Sequence, residues 1–149
     1  MRTILIVCLI LAASAVRASD KDSVAVASSV KAFVKAFNNF DWPTFRAAFD
    51  KDATMFHPTW DHARRVRGTQ QVEEAWLDIF PEFSDPNNKE KLSIDPKNIN
   101  IQIYGSTAVV TFHLGDGVES LSRRTVVMVN KDGAWKIVHI HASRVEKGK

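Results

Sequence analysis

The stretch Asp132-Gly133-Ala134-Trp135-Lys136-Ile137-Val138-His139-Ile140-His141-Ala142-Ser143 decides how the rest of the chain must fold. An Asp-Gly pair opens it, and such a pair turns a hairpin because both residues tolerate positive φ. Beyond the turn, side chains alternate between the two faces of a strand. Strict alternation sets Trp135, Ile137, His139, His141 and Ser143 on one face, and Lys136, Val138, Ile140, Ala142 and Arg144 on the other. Both sets contain apolar residues, which predicts an interior strand covered on both sides. Two imidazoles and a hydroxyl then stand in a row where polar groups need partners.

Working back from that strand, the spacing predicts three more, each closed by a turn signal. Asn98 to Tyr104 alternates Ile99, Ile101 and Ile103 with polar residues and ends at Gly105-Ser106. Thr107 to Leu114 puts Ala108, Val110, Phe112 and Leu114 on one face and ends at Gly115-Asp116-Gly117. Val118 to Lys131 puts Arg124, Val126, Met128 and Asn130 on one face, with Arg123, Thr125, Val127 and Val129 on the other. Leu92-Ser93-Ile94 also reads as strand, interrupted by Pro96.

Helical periods precede the strands. Val26, Val30, Phe33, Val34, Phe37 and Phe40 recur at helical spacing from about Asp22, and Asn38-Asn39 breaks the helix. Asp41 is placed to cap a short second helix with Pro43 in its first turn. Ala53 to His57 reads as a short strand ended by Pro58, and Thr59 to Arg67 as a loop or ragged hairpin. Thr69 to Phe83 is a third helix with Val72, Ala75, Trp76, Ile79 and Phe80 inside. Helix, short helix, strand, helix and four hairpin-linked strands define an α+β fold. The curved antiparallel sheet is expected to wrap around the N-terminal helices and close into a cone with an interior cavity.

The start of the chain reads as a leader. Arg2 precedes a short apolar run, Ile4 to Ala13, and small residues follow through Ala18, so residues 1–18 are expected to be a signal peptide. Cleavage falls after Ala18 or Ala15. Cys8 lies within the apolar run, away from a lipoprotein cleavage position. Residues 19–149 then form one cysteine-free domain, large enough to fold without disulfides or metal. Thiol redox chemistry is excluded there. The leader removes Arg2 and Arg17 from 20 basic residues, leaving 18 against 17 acidic ones. That balance calls for neither nucleic acid nor, after leader removal, a membrane. The expected location is secreted or periplasmic.

Phe56-His57-Pro58 after the first strand, together with the Gly-x-Trp…His-x-His-x-Ser pattern of the last, resembles the nuclear transport factor 2-like superfamily. Within it the chain looks like the SnoaL-like and calcium/calmodulin-dependent kinase association-domain branch, over about Val24 to Ser143. The resemblance implies a pocket at the open end of the cone and a homodimer formed through the outer sheet face. The superfamily includes isomerases, dehydratases, cyclases and non-catalytic assembly domains, so fold alone does not fix activity. His57 stands where the kinase association domain has a pocket acid. Arg124 lies on the strand and face that carry a pocket arginine there, two residues out of register. Leu114 and Ala142 occupy positions of further arginines. The aspartate–tyrosine pair of steroid isomerases has no counterpart, since Tyr104, the only tyrosine, sits at a strand end.

These residues define the candidate site. His57 is the catalytic candidate, able to move a proton near neutral pH, with Arg124 holding developing negative charge. Trp60, Trp76, Arg124, His139 and His141 are the ligand-binding candidates. His139 and His141 offer two metal ligands, but a site needs a third, and nothing fixes His57 or His113 nearby to supply it, so neither metal nor cofactor is expected. The expected partner is a small organic molecule, a carbonyl or carboxylate compound. The competing reading is a non-catalytic dimeric module in which the face carrying Ile99, Ile101 and Ile103 meets its twin.

Overall fold

The computed structural model describes residues 20–59, 64–115 and 121–144; the leader, Trp60 and the second hairpin turn at Asp116-Gly117 lie outside them. The elements are α1 (Asp20–Asn38), α2 (Trp42–Ala47), β1 (Phe49–Phe56), β2 (Val66–Arg67), α3 (Gly68–Ile79), a 3-10 turn (Pro81–Ser84), β3 (Lys97–Tyr104), β4 (Thr107–Leu114), β5 (Ser122–Lys131) and β6 (Ala134–Arg144). Helix α1 turns Val26, Val30, Phe33 and Ala36 inward. The Asp41 carboxylate accepts the Thr44 N–H at 3.2 Å and caps α2. Helix α3 stops at Ile79, because Pro81 has no N–H to continue it and a 3-10 turn follows.

The strands form one sheet in the order β2-β1-β6-β5-β4-β3. The three hairpin-linked pairs are antiparallel, and β1 runs parallel to β6, so β6 is interior. The sheet curves over the helices without closing, leaving β2 and β3 as its edges. Val66 and Arg67 pair with Met55 and Thr54, the ragged hairpin of the sequence. Leu92 to Ile94 is not a strand. Asn38 holds it instead: the Asn38 amide donates to the Ile94 carbonyl and accepts the Ile94 N–H, both at 2.9 Å.

The alternation expected along β6 fails at one residue. Val127 pairs with His139 but Met128 pairs with Ile137, leaving Val138 as an extra residue. A bulge of this kind inverts the phase of everything beyond it. Trp135 and Ile137 are buried before it, and Ile140 and Ala142 after it. His139 and His141 therefore face outward beside Val127 and Thr125, on the opposite face from Trp135 and Ile137.

The inner face of the sheet contributes Ala108, Val110, Phe112, Val126, Met128 and Ile137 to the core. Ile101 and Ile103 also pack inward, while Gln102 and Tyr104 are exposed. Isoleucines assigned to a self-association surface thus belong to the core side. The helices supply rings. Phe45 is fully buried, with ring centroids 5.0 Å from Phe33, 5.0 Å from Trp76 and 4.7 Å from Phe83. Phe37 adds edge contacts to Trp76 at 5.4 Å and Phe80 at 4.9 Å. This aromatic cluster fills most of the space under the curved sheet.

Candidate functional site at the mouth of the sheet

One space lies where β4 ends and β5 begins, against α1 and α3. A cavity of about 40 Å³ is lined there by Phe33, Phe37, Trp76, Phe112, Arg124 and Val126, among others. Arg124 enters it because β5 alternates regularly from Ser122 to Val127, pairing Arg124 with Phe112 on one side and Ala142 on the other, both buried inward. Its Nη1 donates to the Ser122 hydroxyl and to the Arg123 carbonyl, each at 3.0 Å. No carboxylate pairs with it among the described residues. Burial, and then the charge of Arg144, lower its pKa below the ordinary guanidinium value. A guanidinium in this position stays charged and gains from an anion.

His57 follows β1 on the same inner face as Met55. Its ring meets Trp76 edge to face at 5.7 Å. Phe56 pairs with His141, so the next row across the mouth runs His57, Ala142, Arg124. Two strand spacings put the His57 and Arg124 backbones about 10 Å apart with the small Ala142 between them. The His57 Nδ1 accepts the Thr59 N–H at 3.2 Å and lies 2.9 Å from the Thr59 hydroxyl. A backbone donor at Nδ1 selects the tautomer protonated at Nε2. Trp76 is 5% exposed, and its indole N–H makes no hydrogen bond within the described residues.

The structure therefore brings Arg124 and Trp76 to one cavity, sets His57 against the Trp76 ring, and puts His139 and His141 across the sheet from them. The His139 Nδ1 lies 2.8 Å from the Thr54 hydroxyl, and both imidazoles pack on Phe56. Burial and the neighbouring His141 lower the His139 pKa below 6.5. Trp60 lies outside the described residues. Among the described residues no three His, Cys, Asp or Glu side chains converge as metal ligands. Ser122, the partner that orients Arg124, was missed by the sequence reading. Its position two residues before Arg124 on an alternating strand was the available signal.

A second recess of about 190 Å³ lies between α2, β1 and α3, also walled by Trp76. Its charges are already matched, Arg46 with Glu73 at 2.8 Å and Asp50 with Lys131 at 2.5 Å. Among the described residues Arg124 has no such match, which makes its cavity the better candidate.

A SnoaL-like domain family model matches residues 26–146. Among solved structures, the chain is similar to a candidate dehydratase of the NTF2-like family from Streptomyces avermitilis. That match has TM-score 0.71 and 22% identity over 86% of this chain and 99% of the other. It is similar to the association domain of Caenorhabditis elegans CaMKII, at TM-score 0.62 and 20% identity over 83% and 95% of the two chains. A candidate ketosteroid isomerase from Parabacteroides distasonis matches at TM-score 0.60 and 23% identity, over 81% and 86%. At these identities the structural likeness concerns the fold. No curated protein sequence matches the chain.

Proposed function

The chain belongs to the SnoaL-like domain family, and we propose that it is an exported protein holding a small carboxylate, or the enolate of a small carbonyl compound, at the mouth of its curved sheet. The observation that carries this reading is Arg124, a half-buried guanidinium on a cavity wall with no acidic partner among the described residues. A buried cation left uncompensated is costly, and a ligand oxyanion offsets that cost through charge-assisted hydrogen bonds. The cavity of about 40 Å³ has room for a few water-sized groups, which suits a small head group.

In the catalytic form of this reading, His57 moves a proton at the substrate, and Arg124 holds the negative charge that develops when a proton leaves the carbon beside the carbonyl. Isomerase and dehydratase chemistry both use such a step. A non-catalytic ligand-binding or assembly module uses the same cavity without turnover, and the assembly role of the CaMKII association domain supports that alternative. Removal of residues 1–18 during export would leave Ser19 as the first residue in a mass spectrum of the exported product.

Thermal unfolding against a panel of small carboxylates tests the reading. A ligand at a hundred times its dissociation constant adds about 2.7 kcal/mol, a shift of several degrees. The shift is expected in the wild type and absent in Arg124→Met. A shift of equal size in both proteins would remove Arg124 from the site. Once a ligand is found, turnover by the wild type and its loss in His57→Gln separate enzyme from binder.

A further inference from the structure

Helix α1 and the chain leading into β3 enclose a groove of about 500 Å³, lined by Ala27, Val30, Val34, Ile94, Pro96 and Ile99. This is within the usual range for small-molecule sites, roughly 300–1,000 Å³. Asn38 builds its far wall. Besides the two side-chain bonds to Ile94, its carbonyl accepts the Leu92 N–H at 2.9 Å, so three bonds hold the 92–94 segment against the helix end. Val34 and Ile94 separate the groove from the Arg124 cavity.

The rim is charged on one side. Lys31 and Lys35 stand one helical turn apart, exposed, and neither pairs with an acid among the described residues. The rim acid, Asp95, is engaged by Lys97. The groove thus combines an apolar floor with two uncommitted ammonium groups at its edge, complementary to an apolar chain ending in an anion. We propose that it binds a long-chain carboxylate, with the acyl chain along Val30, Val34 and Ile99 and the head group on Lys31 and Lys35.

The probe is monomeric dodecanoate, titrated calorimetrically into the protein expressed from the full-length sequence. One molecule is expected per chain. Affinity should fall roughly two- to fourfold for each methylene removed down to octanoate, as burial of successive methylenes requires. Lys31→Glu with Lys35→Glu should weaken dodecanoate roughly tenfold while leaving dodecanol unchanged. Ile99→Asp changes a half-exposed residue and should abolish binding of both. Ala27→Trp fills the groove from an exposed helix position and gives the same result should the Ile99 variant fail to fold. Arg124→Met should leave dodecanoate affinity unaltered, which keeps this site distinct from the mouth. The proposal is overturned by absence of binding, by indifference to chain length, or by loss of binding in Arg124→Met. Association with phosphatidylglycerol vesicles without binding of monomeric dodecanoate would overturn it in favour of a membrane surface.

Discussion

At the scale of single residues, Arg124 and His139 show how one pattern of alternation succeeds and fails. Arg124 was placed correctly on the inner face because β5 is regular where it sits. An unpaired half-buried cation contributes little to the stability of the ligand-free protein, since its desolvation is not offset by a partner. Arg124→Met is therefore expected to unfold at the same temperature as the wild type or up to a few degrees higher, measured without ligand. A large loss would mean that its bonds to Ser122 and the Arg123 carbonyl outweigh the desolvation. His139 makes the opposite kind of prediction. Its pKa in the folded protein lies below 6.5, from burial and then from His141. The unfolded chain thus takes up the proton first as pH falls, and stability rises with pH across this window. The contribution is complete above about pH 6.5 and is lost as pH drops through the lower folded value. Denaturant unfolding at pH 7.5 and pH 5 should show a smaller acid-side loss in His139→Gln than in the wild type. Equal losses would assign the pH dependence to other groups.

At the scale of elements, the turns were legible because they are local. Asp132 and Gly133 adopt φ of 52° and 86°, and Gly105 adopts 60°, the conformations that their residue types favour. The α2 cap and the α1 break at Asn38-Asn39 follow equally short signals. The parallel pairing of β1 with β6 was not legible, because it joins residues more than eighty positions apart and depends on how the helices fill the sheet. The Val138 bulge was hidden for a related reason. Val138 has no glycine or proline beside it, and the shift is imposed by matching Met128 to Ile137 and Val126 to Ile140 around the core. This account can be tested by deleting Val138. Deletion leaves Ile137 inward, His139 outward and Ile140 inward in plain alternation, with their β5 partners unchanged. Deleting Val138 together with His139 instead sets Ile140 next to Ile137, turning Ile140 and Ala142 outward while His141 enters the core. Burying an imidazole in place of these apolar side chains costs several kcal/mol, a large fraction of the total stability of a domain. The single deletion should retain cooperative thermal unfolding and the double deletion should lose it. Loss of cooperativity in the single deletion would show that the bulge itself is required.

At the scale of the whole molecule, the order of elements and the α+β class were readable from periodicity, and the curved sheet followed from hairpins and segregated helices. The amount of space under the sheet was not readable. It depends on how phenylalanines from α1, α2 and the segment after α3 interlock, and beside Arg124 they leave a small cavity. The other side of the sheet is the less balanced surface. All the helices pack on the inner face, and among the described residues no element covers the outer one. That outer face carries Phe56, Val109, Val127 and Val129 with Thr111 and Thr125 between them, all only partly buried in the single chain. A homodimer, which the family resemblance implies, would use this surface rather than the isoleucines of β3. A two-fold axis near the Val109–Val127 pair would bring the same valines together from both copies and bury an apolar centre inside a threonine rim. Val127→Arg puts a charge at that centre twice for each substitution while leaving the core side of β5 untouched. The wild type should sediment as a dimer at micromolar concentration and Val127→Arg as a folded monomer with an unchanged far-ultraviolet circular dichroism spectrum. A wild type that sediments as a monomer, or a variant that remains dimeric, would rule out pairing through this face.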